Sequence, residues 1–248
     1  MNLNKENLDL IYVGKTKDVY AYDGDSVVLH SKDSVTGWKI QNPDGTFTVV
    51  EDPGANEVIG EVAGIGLKNL ISSIYYFELF KEAGLITHYQ GADLAEKNML
   101  VRKAGTVGHG LECIVRFKAM GSILRTYPDY VKEGQVLTDF FEVTTKHDGA
   151  GDPRISKEFL TNPDFGPVMT AEDYEEMKAM SLKAATLIKD DLARFAMDLI
   201  DIKFEIGLVD GKIVLIDEVS AGIMRVFKDG KQMTEEELAD AFVEIAKR

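Results

Sequence analysis

Between Ile200 and Ser220 the chain reads IDIKFEIGLVDGKIVLIDEVS, and no other stretch limits the possible folds so tightly. Strand side chains alternate between two faces, so Ile200, Ile202, Phe204 and Ile206 can face a core while Asp201, Lys203 and Glu205 line the other side. Asp210-Gly211 is a strong hairpin turn signal. A two-residue turn pairing Val209 with Lys212 sets Lys203 opposite Glu218. A three-residue turn sets it opposite Asp217 and moves every side chain of that arm to the other face. The sequence leaves both registers open, and in each the lysine gains a carboxylate neighbour.

Carboxylates gathered round one lysine suit a site for Mg²⁺ and polyphosphate, because Mg²⁺ takes one or two carboxylates and completes its shell with phosphate oxygens and water. A solvated hairpin face with surface ion pairs is the plain alternative. Other segments must decide between them.

The formal charge of −14 argues against a nucleic-acid partner, whose phosphates need Lys and Arg. No apolar run is long enough to cross a bilayer, and MNLNKENLDL lacks the pattern of a signal peptide. One cysteine, Cys113, cannot form an internal disulfide and sits in the apolar stretch ECIVRF. These features fit a soluble cytoplasmic protein. His30, His88, His109 and His147 show no metal-ligand spacing.

Along the chain, LIYVG, KDVYAY and SVVLHS read as strands, and residues 41–56 as loop around a short strand. Apolar spacing predicts a helix from about Glu57 to Ala83, stopped by Gly84, with short strands following around ITHYQ, NMLVRK and LECIVRF. Thr170 and Asp173 form a capping-box pattern ahead of a long helix carrying Tyr174, Met177, Ala184, Ile188, Leu192 and Phe195 on one face, and TEEELADAFVEIAK closes the chain as an amphipathic helix. Strands and helices come in separate blocks, which predicts an α+β fold. The expected division is residues 1–108 and residues 109–248.

Three further segments carry cations or glycines. In YVGKTKDVY, Lys15 and Lys17 would lie about 7 Å apart on one face if extended, matching a triphosphate chain. In CIVRFKAMGSILRTYP, Arg116 and Lys118 share a strand face, and Gly121-Ser122 opens a short helix whose N–H groups can take a phosphate. The Gly-rich TTKHDGAGDPRIS carries Lys146, Asp148 and Asp152, and reads as a lid or as a connector.

Taken in order, IYVGKTKDVY, FELFKEAGLITHY, IVRFKAMGS, KHDGAGDP, DIKFEIGLVDGKIVLIDEVS and Arg225 resemble the SAICAR synthetases, the phosphoribosylaminoimidazole-succinocarboxamide synthases of purine biosynthesis. The resemblance implies a two-lobed α+β enzyme with an N-terminal antiparallel β lobe, a larger α+β lobe and an ATP cleft between them. It implies an ATP- and Mg²⁺-dependent ligase joining L-aspartate to carboxyaminoimidazole ribonucleotide, with no nucleic acid or membrane as partner. Since SAICAR synthetases are often dimers or larger, it is compatible with a homo-oligomer.

Carried over position by position, Lys15 and Lys17 would hold ATP phosphates, and Lys203 and Glu205 would contact the nucleotide or its metal. Asp217 would ligate Mg²⁺, and Asp152 with Lys146 would serve the metal and aspartate. Arg116, Ser122 and Arg225 would hold the ribonucleotide phosphate, with Asp201 near the imidazole. Lys203, Asp201 and Lys146 are thus the expected catalytic residues. The chain departs from the family at Phe117, where asparagine is usual, at Met120, where a small residue is usual, and at Gly222, where an acid is usual. Those departures leave two alternatives open: a related ligase with another carboxylate acceptor, or a nucleotide-binding regulatory protein without catalysis.

Overall fold

The computed structural model describes residues 3–53, 55, 57–166 and 168–248. Two positions of the expected 41–56 loop, Gly54 and Asn56, lie outside them. The chain divides into two compact units, the first made of Met1–Ala104, Glu218–Ile223 and Met233–Arg248, the second of Gly105–Asp217 and Met224–Gln232.

The first unit opens with β1 (Leu10–Val13), β2 (Lys17–Ala21) and β3 (Ser26–Ser31), where the alternating apolar runs predict them. Next come β4 (Ser34–Gln41), β5 (Phe47–Glu51), β6 (Glu57–Glu61), the helix α1 (Ile65–Glu82), β7 (Tyr89–Asp93) and β8 (Asn98–Arg102). One sheet has the order β1-β2-β3-β8-β7 and a second the order β5-β4-β6, every pair antiparallel.

The helix expected from Glu57 starts only at Ile65. Val58 and Ile59 are β-branched, and the segment pairs with β4, Val58 opposite Thr36 and Gly60 opposite Val35. The Asp33 carboxylate accepts the Gly66 N–H at 3.0 Å, satisfying one of the donors that a helix start leaves open. Burial alone would raise the Asp33 pKa, but the Gly64 and Gly66 N–H groups and Lys97 hold it below the ordinary value.

In the second unit the chain forms β9 (Gly105–Lys118), α2 (Ser122–Thr126), β10 (Val136–Thr145), α3 (Lys157–Leu160), α4 (Ala171–Ala193), β11 (Met197–Val209) and β12 (Lys212–Ile216). The Thr170–Asp173 capping box is present at the start of α4. After Glu218–Ile223 come β13 (Met224–Lys228) and β14 (Lys231–Gln232), then α5 (Glu235–Ala246) in the first unit. The third sheet runs β10-β9-β11-β13-β14, with β12 also on β11.

This sheet has two unlike faces. Cys113, Val115, Ile202, Phe204 and Ile206 are buried on one, and α4, with Met177, Ala184, Ile188 and Leu192 buried, packs against β9 and β11. The Cys113 thiol, pushed up to about 12 by burial, is a core group rather than a nucleophile. Phe117 is also buried, with the Lys189 ammonium 4.6 Å from its ring centroid. By strand alternation it faces away from Arg116, so this departure from the family leaves the polar face intact.

In the first unit α1 and α5 pack through Tyr76 and Phe242, whose rings meet edge to face with centroids 5.4 Å apart. α1 also holds the Glu218–Ile223 segment: the Ser72 hydroxyl donates to the Val219 carbonyl at 3.1 Å, and the Ser73 hydroxyl accepts the Val219 N–H at 3.2 Å.

Phe204 is 1% exposed at the centre of the apolar face. Phe204→Ala should lower the unfolding free energy by about 3–5 kcal/mol in urea titration; a loss below about 1 kcal/mol would mean that this face is not the core.

Candidate active site

The opposite face of the third sheet gathers the charges. Val209 pairs with Lys212, the two-residue turn, with Asp210 and Gly211 at φ of 52° and 74° as a type I′ turn needs. This is the register in which the sequence sets Lys203 opposite Glu218; β12 ends at Ile216, and the Lys203 Nζ donates to Glu112 on β9 at 2.7 Å. A carboxylate neighbour thus comes from β9, a flank of β11 that the hairpin pattern did not indicate. Thr144 donates to the second Glu112 oxygen at 3.0 Å.

Glu205 stands directly opposite Glu112 in the ladder, and Lys146 closes on it with Nζ 2.6 and 2.7 Å from the two Glu205 oxygens. Burial and the Asp217 charge push the Glu205 pKa up, against the pull of Lys146 and Lys203. Burial would lower Lys146, but Glu205, Asp217 and Glu112 hold it above its ordinary value. Asp217, Glu205, Glu112, Lys146 and Lys203 therefore act as one electrostatic cluster. The backbone of Asp217 is left-handed, at φ 67°, a conformation that asparagine and aspartate tolerate better than most residues.

The KHDGAGDP segment is a closed hairpin. Asp152 Oδ1 accepts the His147 N–H at 2.7 Å, and the Thr145 N–H donates to the Pro153 carbonyl at 3.0 Å. Asp152 thereby shapes the turn that presents Lys146.

A second group lies further along the same face. Arg116, 2% exposed, uses all five N–H donors: Nε and Nη2 on Glu142 Oε1 at 2.9 and 2.6 Å, Nη1 on Asp201 at 2.5 Å and the Met120 carbonyl at 3.1 Å, and Nη2 on Ser122 Oγ at 2.9 Å. Asp201 also accepts Arg225 Nη1, at 3.0 and 2.7 Å. A Cβ at position 121 would stand 2.7 Å from Arg225 Nη2, so only glycine, here at φ 67°, lets that guanidinium lie over the start of α2. The structure thus brings Arg116, Ser122, Arg225 and Asp201 together. Two participants the sequence reading passed over are Glu142 and Arg154, which meet at 2.5 Å. Their signal was an acid and an arginine in FFEV and DPRIS, unremarkable until β10 and the segment beside it are paired.

In the first unit, Lys15 lies in a turn that the Gly14 N–H closes onto the Lys17 carbonyl at 2.8 Å. The extended spacing expected for Lys15 and Lys17 does not apply there. Ser34 donates to the Lys15 carbonyl at 2.6 Å, fixing the turn. Lys17, buried to 10% exposure, pairs with Glu218, which also accepts the Ser220 hydroxyl.

Glu235, at the start of α5, is a further acid that sequence reading missed. Asn69 Nδ2 donates to it at 2.9 Å, and a Cβ at position 222 would come within 3.0 Å of its Oε1, so a carboxylate already occupies the space beside Gly222. Burial, with Glu218 and Glu51 nearby, raises the Glu235 pKa to about 7 against the effects of Asn69 and Lys17.

Comparison with known proteins fits this geometry. The SAICAR synthetase family model matches residues 57–241. The phosphoribosylaminoimidazole-succinocarboxamide synthase of Clostridium tetani is 38% identical over 96% of this chain and 100% of its own length. This chain belongs to the SAICAR synthetase family. The synthase of Sulfurisphaera tokodaii is 30% identical over 88% of this chain and 83% of its own. Among solved structures, a type-2 SAICAR synthetase in complex with ADP superposes with a TM-score of 0.76 at 26% identity, covering 95% of both chains. That of Pyrococcus horikoshii gives 0.73 at 26% identity, covering 93% of this chain and 96% of its own.

For a SAICAR synthetase the question is whether the residues suit Mg²⁺. Among the described residues no group of three or more His, Cys, Asp or Glu is placed to hold a metal by protein ligands alone. Mg²⁺ bound with a nucleotide needs only one or two carboxylates, and the mutual repulsion of Asp217 and Glu205 is what a cation there would relieve. The donor set fits.

A folded-state pKa of about 7 for Glu235, above its ordinary value of 4.5, stabilises the fold fully below pH 4.5, and this contribution is lost as pH rises through about 7. The unfolding free energy of the wild type, read from urea titrations, should therefore fall between about pH 5 and pH 8 relative to Glu235→Gln, by on the order of 3 kcal/mol at most; parallel profiles would contradict the assignment.

Proposed function

We propose that this chain joins the amine of L-aspartate to the carboxylate of carboxyaminoimidazole ribonucleotide, converting ATP to ADP and phosphate, as a cytoplasmic ligase of purine biosynthesis. The observation that carries the reading is the polar face of the third sheet. There an acid and amine cluster lies beside the buried Arg116, paired through Asp201 with the partly buried Arg225, on neighbouring strands of one sheet. The names of the relatives and the ADP of the type-2 structure support it.

In this reading residues 1–108 serve mainly the nucleotide, through Lys15 and Lys17, and residues 109–248 the metal and the acceptor. Asp217 and Asp152 would hold Mg²⁺, whose charge offsets that of the transferring phosphoryl group. Lys203 and Lys146 would orient the phosphates beside it, and Glu205 would contact the nucleotide or its metal. Arg225 and Ser122 meet the acceptor phosphate, with Arg116 fixing their surroundings and Asp201 set toward the imidazole.

A carboxylate is a poor acyl donor, so its oxygen first attacks the γ-phosphorus and ADP leaves. The aspartate amine then attacks the acyl carbon, phosphate departs, and the nitrogen loses a proton. Positioning and charge neutralisation suffice for both steps. No protein nucleophile is required, in keeping with a buried Cys113.

The departure at Gly222 raises a second reading, a ligase of the same type with another carboxylate acceptor, which the Glu235 carboxylate beside that position does not favour. Release of ADP that requires both aspartate and carboxyaminoimidazole ribonucleotide is the expected result. ATP binding without turnover on that pair would overturn the specific assignment, and turnover on another carboxylate would select the second reading. Asp217→Asn and Lys203→Ala should each lower kcat at least about a hundredfold with the fold retained; near-normal rates in either would remove the phosphoryl-transfer site. Arg225→Ala should raise the KM of the phosphorylated acceptor more than that of ATP, read from initial rates; equal changes would place Arg225 elsewhere in the reaction.

A further inference from the structure

Arg154 has no role in the reading above, yet the polar face of the third sheet converges on it. The segment 153–155 adds a short antiparallel piece beside β10: Arg154 bridges to Thr144, and the Ile155 N–H donates to the Val143 carbonyl at 3.0 Å. This puts Arg154 next to Glu142, two residues from Thr144 on the same face of β10. Its Nε donates to Glu142 Oε2 at 2.5 Å and its Nη2 to Oε1 at 3.2 Å, a forked contact that only a guanidinium can make. Nη1 donates to the Thr126 hydroxyl, and the guanidinium carbon lies 5.5 Å from the centroid of the Tyr127 ring.

Glu142 Oε1 is the oxygen that takes two of the five Arg116 donors. Ser122 and Thr126 lie one helical turn apart on α2, so Arg116 meets the start of that helix and Arg154 its end. Charges then alternate without a break through Arg154, Glu142, Arg116, Asp201 and Arg225, three cations against two anions. Remove the first member and Glu142 keeps its charge in a buried place with one partner fewer. The Arg116 guanidinium and the Ser122 hydroxyl are then no longer held from the Thr126 end.

We propose that Arg154 is a positioning residue of the acceptor site, fixing Glu142 and α2 so that Ser122 and Arg225 present a preset surface to the phosphate of the ribonucleotide. The inference rests on the ligase reading for the identity of that ligand. Because Arg154 also begins at the end of the hairpin that carries Lys146 and Asp152, it ties that hairpin to the arginine group.

The test compares wild type with Arg154→Met, which keeps the bulk of the side chain without its donors, and with Thr126→Val, which removes the far contact together with the hydroxyl bond to the Ser122 carbonyl. Calorimetric titration with 5-aminoimidazole-4-carboxamide ribonucleotide, and separately with ATP and Mg²⁺, needs no turnover. Arg154→Met should weaken the ribonucleotide about tenfold or more and leave ATP within about twofold. Thr126→Val should shift the same ligand in the same direction by less, and melting temperatures establish that both variants are folded. Arg154→Lys, with charge but no fork, should fail to restore wild-type affinity. Unchanged ribonucleotide affinity in a folded Arg154→Met, or equal weakening of both ligands, overturns the proposal. Wild type that binds this ribonucleotide but releases no ADP when given aspartate and carboxyaminoimidazole ribonucleotide sinks the ligase reading instead, and leaves the Arg154 comparison decisive on its own.

Discussion

A guanidinium buried to 2% exposure is the constraint from which the second unit follows. An isolated charge in that setting would cost far more than the fold can offset, so Arg116 has to be surrounded by acceptors, and the surrounding acids need cations of their own. Glu142, Asp201, Arg225 and Arg154 satisfy that requirement in sequence, each from a different segment. Sheet register and the left-handed glycine at 121 serve the same end, since they set where the partners can stand.

The same strands carry a second answer to the same problem. Glu112, Glu205 and Asp217 gather negative charge beside Lys146 and Lys203, and burial together with the Asp217 charge pushes the Glu205 pKa up. An excess of acid beside amines suits a bound cation and polyphosphate, whereas the excess of guanidinium further along suits a phosphate monoester. The proposed ligase reaction gives both excesses a use, because it brings a nucleotide and a phosphorylated acceptor to one enzyme.

Local rules made much of this readable from the chain alone. Period-two alternation marked the faces of β11, Asp210-Gly211 marked its turn, and Thr170 with Asp173 marked the start of α4, because each is decided by residues within a few positions of one another. What could not be read were partners chosen at long range. Lys203 meets Glu112, 91 positions away on β9. Residues 57–61 have enough helical spacing to suggest a helix, but β4 is available to pair with them. Lys15 and Lys17 looked extended until a backbone bond folded the turn between them, and Glu235 stands beside Gly222 only because α5 returns to α1.

The central claim is that the acid cluster ending in Asp217 receives the metal of a nucleotide complex. A crystal grown with Mn²⁺ and a non-hydrolysable ATP analogue tests it directly through the anomalous signal of the metal. The account predicts a Mn²⁺ peak at coordination distance from an Asp217 carboxylate oxygen, with nucleotide phosphate oxygens completing the shell. A nucleotide-bound crystal whose only Mn²⁺ peak lies away from Asp217 and Glu205 would contradict it.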